Sequence, residues 1–378
     1  MAALLQRRGA SRLLGWAVLA GAAIAWPFFF PKVTHFYGAL SAIYALVALS
    51  LVVLSGWTGQ VSLCQGAFLG IGVYMGQKLL AHNVPVLVAV VVVAAIGAAV
   101  SLLIGVPSLR LRGVYLTIVT LAFAAACEKF VFPLSFIRGS HAADVPRPPV
   151  FGLSTHSDRG LYFVVLGVFA VALLLAANIR RSDAGRALFA IRDSEDAATA
   201  LGIKVAPYKI GAFALSAALA TVAGLFYGML IQATPGGDQF GVLQSLFLLA
   251  LPVLGGLELL GGAVIGGALL ATAQPAVNTF HIRLFLASGV LVVLVTLSGF
   301  DGITGLARSA WRSLREQLSP TAKVRYGSFV PEDPAVAEAT KAPPRVRLRV
   351  PGGLVPGSRV TVRIDSPPAV AAMGSDKS

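Results

Sequence analysis

The chain has 378 residues, of which 57% are hydrophobic and 12% charged, with a mean hydropathy of +0.81. A soluble domain carries about 25% charged residues, so there are too few polar groups here to cover a water-facing surface. The net charge of +14 would point to nucleic acid in a soluble protein, but here Lys and Arg gather beside apolar runs, where they orient spans and face anionic lipid.

Apolar stretches of roughly 18 residues or more recur, each long enough to cross a ~30 Å hydrocarbon layer as a helix. Runs such as Val84–Val106 lack the alternation of a barrel strand. The expected fold is all-α, a polytopic transmembrane bundle of about ten spans, some short or broken. Arg7, Arg8 and Arg12 precede Leu13–Phe30, which is longer than a signal-peptide core and lacks an A-x-A-like site, so it is a first span. Phe36–Ser55, Val61–Leu80, Pro85–Gly105, Val114–Phe136, Leu161–Ala177 and Ile210–Gln232 follow. Phe240–Leu254, Leu257–Ala273 and Leu284–Phe300 complete the set. The stretch from Phe240 to Ala273 reads either as one long kinked helix or as two short ones meeting at Gly255-Gly256.

The arginines place both ends in the cytoplasm. They cluster at the N-terminus, at Arg110 and Arg112, along Asn178–Lys209 and at Arg308, Arg312 and Arg315. An even span count follows, so Phe240–Ala273 should cross twice. Gly66, Gly70, Gly72 and Gly76 on one span, and Gly262 and Gly266 on another, are spaced for close helix packing in lipid. Cys64 and Cys127 lie inside apolar runs and read as packing residues. Residues 1–305 are the expected transmembrane domain, with 306–378 a basic, Pro-containing cytoplasmic tail, partly disordered. Within that tail, Arg345–Val350 and Arg359–Asp365 alternate as a hairpin would.

Chemistry is sparse. The sequence has no phosphate-binding loop, no metalloprotease motif and no nucleophile elbow. His35, His82, His141, His156 and His281 fall in loops or at span ends. No metal or cofactor is expected on this chain. Ionisable residues deep in spans reduce to Glu128, with Glu258 and Asp301 near span ends. Lys129 adjoins Glu128, but neighbours in sequence do not face each other on a helix. A chain that spans the membrane without an engine implies a partner that hydrolyses ATP. The alternative is a self-sufficient secondary transporter using Glu128 for ion coupling.

Asn178–Lys209 is polar and holds two candidate helices. Asp183 can cap the first, over Gly185–Ile191, and Asp193 or Ser194 the second, over Glu195–Leu201, with Gly202 at its C-terminal end. Leu188 and Ile191 share one face, Ala198 and Leu201 another. Such a pair either docks into a groove on a soluble partner or folds back on its own bundle. Gln60, Ser62 and Gln65 cluster at the start of a glycine-rich span, where polar side chains are costly against lipid. They either hold helices together or line a solute path.

Asp196-Ala197-Ala198-x-x-x-Gly202 resembles the EAA-x-x-x-G coupling loop of ABC importer permeases, with Asp for Glu. The run GRALFAIRDSEDAATALGIKVAPYKIGAFALSAALATVAGLFYG is similar to the LivM-type branched-chain amino acid permease. SGWTGQVSLCQGAFLGIGVY resembles that family's GQxSLGxAAFxGIGAY, and LRLRGVYLTIVTLAF its LRLRGxYFAIVTLAF. LGGLELLGGAVIGGALL resembles LGGxGSLxGPxxGA. The resemblance covers about 40–305. It implies a permease subunit of the inner membrane that imports branched-chain amino acids or related urea, amide or small amino-acid-like solutes. A LivH-like second permease, two ATPases holding ATP and magnesium, and an extracytoplasmic solute-binding protein are the implied partners. It assigns Gly185, Arg186, Arg192, Asp196, Ala197, Ala198 and Gly202 to ATPase coupling. Gln60, Ser62, Gln65, Gly70 and Gly72 fall in the signature stretch that would line the solute path. Cys64-Gln65-Gly66 departs from the family's Gly-x-Ala. The external loop RGSHAADVPRPPVFG lacks the Gly-Leu-x-Gly-Ile of the related loop.

Overall fold

The computed structural model describes residues 21, 32–108, 114–134, 145–150, 155–256 and 260–268. Regular structure among them is helical, with no β-strand among the described residues. The helices are α1 (Lys32–Leu51), α2 (Gln65–Ala81), α3 (Val86–Ser108), α4 (Val114–Ala126), α5 (Asp158–Arg181), α6 (Asp183–Asp193), α7 (Glu195–Ala200), α8 (Val205–Ile231) and α9 (Val242–Gly255). Leu13–Phe30 apart from residue 21, Leu284–Phe300, Arg110, Arg112, Glu258, Asp301 and the tail 306–378 lie outside the described residues.

Among the described residues, four helical segments are long and apolar enough to cross a membrane: His35–Gly56, Val86–Gly105, Asp158–Arg181 and Val205–Ile231. The most apolar window of the first is 89% buried inside the chain and that of Val86–Gly105 only 28%. α1 is therefore central and α3 peripheral, and α3 exposes Val91 and Leu103 where an apolar surface suits lipid. Three expected spans are shorter as helices. α2 starts only at Gln65, α4 passes at Cys127 into a π-turn over Cys127–Val131, and α9 covers 14 residues.

α8 is packed against α1, α2 and α3. At its crossing with α2, Gly72 faces Gly224. A Cβ on Gly72 would collide with the Thr221 carbonyl, and one on Gly224 with the Leu69 carbonyl. This is the close approach that the glycine spacing predicts. Thr221 Oγ1 extends the junction by donating to the Val93 carbonyl of α3 at 3.2 Å.

Within the expected Phe240–Ala273 stretch, the described residues 240–256 and 260–268 pack back on one another. α9 ends at Gly255, Gly256 takes a φ of 110°, and residues 260–268 are helical again. Gly255 lies against the Gly262 backbone, and Gly266 against the Leu251 carbonyl. Those pairings run in opposite senses along the chain, which makes an antiparallel helical hairpin and removes the single kinked helix.

Candidate functional site

At one end of the bundle, α5, α6, α7 and α8 follow each other almost without loops. Ser182, not Asp183, occupies the position before α6. Its hydroxyl donates back to the Ile179 carbonyl at 2.7 Å, while Asp183 pairs with Arg186. Ser194 caps α7 by accepting from the Ala197 amide at 3.2 Å. Beyond α7, Gly202 has a φ of 82° and donates to the Thr199 carbonyl at 2.9 Å, while Ile203 donates to the Ala198 carbonyl at 3.0 Å. This is a Schellman closure, which needs the left-handed conformation glycine adopts freely. Lys209 of α8 pairs with Glu195 and ties the start of α7 to the bundle.

The residues that the sequence groups for coupling face two ways. Arg186, Asp196, Ala197 and Gly202 are exposed. Gly185 and Ala198 are buried; a Cβ on Gly185 would meet the Arg180 carbonyl at 2.6 Å. Leu188 and Ile191 are buried against the chain's own bundle, so the apolar face of α6 is already used. Ala198 is 1% exposed, whereas Leu201 is 79% exposed. They do not share a face, because α7 stops at Ala200 and Leu201 turns off the helix. Leu201 was missed as an outward-facing group, since it reads as one more apolar position of an amphipathic helix.

Arg192 is half-buried and faces the bundle. Its guanidinium donates to the Gly56 carbonyl at 2.8 Å. Its Cγ would lie 3.3 Å from a Cβ on Gly59, whose φ of 70° closes the helical turn that follows the π-turn Val52–Gly56. Fully buried Trp57 sits on Phe189 of α6, with ring centroids 6.3 Å apart. Residues 59–64 then run without helix before α2. Their backbone is satisfied by side chains: Ser55 Oγ donates to the Gln60 carbonyl at 3.0 Å, Thr117 Oγ1 to the Val61 carbonyl at 3.3 Å, and the Leu63 amide to Thr120 Oγ1 at 3.0 Å. Irregular backbone beside membrane-crossing helices persists only where protein or water supplies such partners.

The polar residues of this stretch have different surroundings. Gln60 is half-buried. Ser62 is buried beside Cys64, Oγ to Sγ 3.1 Å. Gln65 is 1% exposed; its Nε2 donates to Ser216 Oγ at 2.9 Å, and Ser216 donates to the Ser50 carbonyl at 2.7 Å. Gln65 Oε1 is buried without a hydrogen-bond partner in the chain. Gly70 lies against Phe132 and Phe240, and Gly72 against α8. The Gly66 amide receives its cap from Ser245 Oγ of α9 at 3.0 Å, replacing the local cap that Cys64 does not supply.

Glu128 sits in the π-turn after α4. Its Oε2 accepts from the Val242 amide at 3.4 Å, at the start of α9. A Cβ on Gly241 would occupy the place of this carboxylate. Lys129 Nζ reaches Glu128 Oε1 at 2.6 Å, so the two neighbours do pair, contrary to the helical expectation; the π-turn and the long Lys stem bring them together. At the same end of the bundle, buried Arg147 donates to the carbonyls of Met229 and Leu230 at 2.6 Å each and to Asp158 at 2.9 Å. Sequence reasoning missed Arg147; a charged residue between prolines in a loop is its only local signal. Among the described residues, no three His, Cys, Asp or Glu side chains converge as a metal site would require.

Apolar helices long enough to cross a membrane, packed through glycines, define a multi-pass membrane protein with a helical pair fixed to one end of its bundle. Residues 34–297 match the family described as the permease component of the branched-chain amino acid transport system, and the chain belongs to that family. It is 30% identical to the high-affinity branched-chain amino acid transport system permease protein LivM of Escherichia coli K12 over 313 residues, 76% of this chain and 73% of the relative. The LivM protein of Salmonella typhimurium matches to the same extent. The autoinducer 2 import system permease protein LsrC of Escherichia coli O9:H4 is 30% identical over 52% of this chain and 54% of its own length. No solved structure matches.

Proposed function

We propose that this chain is the membrane-spanning subunit of an ABC importer for branched-chain amino acids or related small amino-acid-like, urea or amide solutes. It sits in the inner membrane with both ends in the cytoplasm, residues 1–305 forming the permease domain and 306–378 a cytoplasmic tail. A LivH-like permease completes the pore. Two ATPases, which hold the ATP and magnesium, dock at α6 and α7, and an extracytoplasmic binding protein delivers the solute on the opposite face. The observation that carries this reading is the outward surface of α7. Asp196 and Ala197 are exposed on a short helix, and Leu201 and Gly202 on the turn that closes it, with the helix start tied to the bundle through Glu195 and Lys209. An apolar knob beside an acidic group on a fixed support suits a groove on a soluble partner.

The reading also assigns the solute path. Gln60 is the one member of the signature set with a half-open side chain, so the path runs past Gln60, and Gln65 holds α1, α2 and α8 together in this state. Against the secondary-transporter alternative stands the occupation of Glu128 as the cap of α9. The test is to place Asp196→Lys and Gly202→Val in the chain and measure leucine uptake in cells. A non-glycine residue in the left-handed region costs about 1–2 kcal/mol and unseats Leu201. Uptake should fall to background with membrane insertion intact; normal uptake in both variants would remove the coupling assignment.

A further inference from the structure

We infer that the non-helical connection 59–64 is a mechanical relay, gripped at one end by Arg192 of α6 and at the other by Thr117 and Thr120 of α4. It would carry a displacement of α6 across the bundle to α4. The inference rests on the reading of α6 and α7 as the site where ATPases act.

The contacts run in sequence without a gap. Arg192 holds the Gly56 carbonyl, and its aliphatic stem rests beside Gly59. Phe189, three residues earlier on α6, packs on Trp57. A shift of α6 therefore meets the chain at 56–59 through a charge-assisted hydrogen bond and a ring contact together. The segment that follows is short and non-helical, with its polar backbone groups tied to neighbouring side chains, so a displacement passes along it instead of being absorbed in a helical spring. Its far end is hydrogen-bonded to α4 through the Val61 carbonyl and the Leu63 amide. α4 in turn caps α9 through Glu128, so its movement reaches the opposite end of the bundle.

Two features suit this stretch to two arrangements. The π-turn Val52–Gly56 is a register irregularity that a helix can shift or lose. Trp57 Nε1 is a buried donor without a partner in the chain, which disfavours this arrangement relative to one that supplies an acceptor. Arg192 is on this account a positioning residue. It faces into the bundle, where the family resemblance alone would put it on the ATPase side.

The test uses the whole transporter, this chain with its permease partner and ATPases, in proteoliposomes with radiolabelled leucine and the binding protein. Three quantities are read: ATPase subunits retained, ATP hydrolysed and leucine taken up. Thr117→Val with Thr120→Val lies far in the chain from α6 and α7 and preserves shape. It should leave hydrolysis within about twofold while uptake drops about tenfold or more, so the ratio of ATP to solute rises. Arg192→Ala should retain its ATPases and lose uptake, and Arg192→Lys should recover part of it. A merely structural role lowers hydrolysis and uptake together through loss of complex. The relay is overturned if the threonine variants keep their ATP-to-leucine ratio, or if Arg192→Ala sheds the ATPases and so belongs to the docking surface. A parent complex that carries no ATPase overturns the importer reading and the relay with it.

Discussion

Arg147 closes the end of α8 on Met229: its Nε donates to the Met229 carbonyl at 2.6 Å, and a second nitrogen reaches the next carbonyl, that of Leu230. The last carbonyls of a helix have no partner within the helix, and here a side chain from a distant loop provides one. The same guanidinium takes Asp158 at the first turn of α5, so one residue fastens α5, α8 and the loop that holds it.

Arg147→Ala should therefore lower stability sharply. The Arg147 side chain is 3% exposed, and its removal leaves the carbonyls of Met229, Leu230 and His156 and the Asp158 carboxylate without this donor. A buried carbonyl left without a donor costs roughly 1–3 kcal/mol, while the part-exposed Asp158 carboxylate can turn to water. Arg147→Lys should recover only part of this, because an ammonium cannot fork to several acceptors at once. Thermal unfolding of the detergent-purified chain measures both, and melting of Arg147→Ala within experimental error of the parent would show the clamp to be dispensable.

The crossing of α2 and α8 supplies a second outcome. Gly72→Ala puts a methyl group where the Thr221 carbonyl already is, and backbone cannot swing aside as a flexible side chain does. Forced overpacking of this kind costs about 1–3 kcal/mol or more. Gly167→Ala, on α5, has nothing within 4 Å of the new atom and should be neutral or slightly stabilising. Comparing folded yield and melting of the two variants separates the crossing from a general cost of replacing glycine in these helices.

Glu128 distinguishes the two transport readings. As a cap for the Val242 amide, its replacement in Glu128→Gln removes a favourable charge at a helix start, worth about 0.3–1 kcal/mol. Leucine uptake should then persist, remain dependent on ATP and be insensitive to a collapsed proton gradient. As an ion-coupling acid, Glu128 would be indispensable, and Glu128→Gln would abolish uptake while a protonophore abolished it in the parent.

Much of this arrangement can be read from residues in a row. Ser194 and Gly202 mark the two ends of α7 by chemistry that acts over three or four residues, and the long apolar runs mark α1, α3, α5 and α8. What the sequence withheld depends on partners far along the chain. Leu188 and Ile191 form an apolar face in either reading of α6, and only the position of the bundle decides that they point inward. Gln65 looks like any polar residue at a span start, yet it is buried against Ser216, 151 residues away. The α2 start has no local cap because Ser245 supplies one from α9. Ala198 and Leu201 were separated by a helix end that falls between them, a one-residue matter that periodicity does not resolve.

The difference between Gln60 and Gln65 gives the last outcome. They lie five residues apart in one signature stretch, but Gln60 stands half-open in the non-helical connection while Gln65 is 1% exposed at the start of α2. In a background with Cys64→Ala and Cys127→Ala, Gln60→Cys should react with a small water-soluble thiol reagent and Gln65→Cys should not. A zwitterionic solute needs neutral polar groups that bind weakly enough to release it, and an amide side chain at the edge of a water-filled path meets that need. Added leucine and binding protein should slow the reaction at position 60. Trapping ATP on the partner subunits should change its rate, because Gly56 and Gly59, immediately before it, are held by Arg192. Reaction at position 65 in a trapped state would show that α2 separates from α8 during transport, breaking the Gln65–Ser216 bond. If neither cysteine reacts in any state, Gln60 faces protein, and the path is to be sought along the hairpin that turns at Gly256.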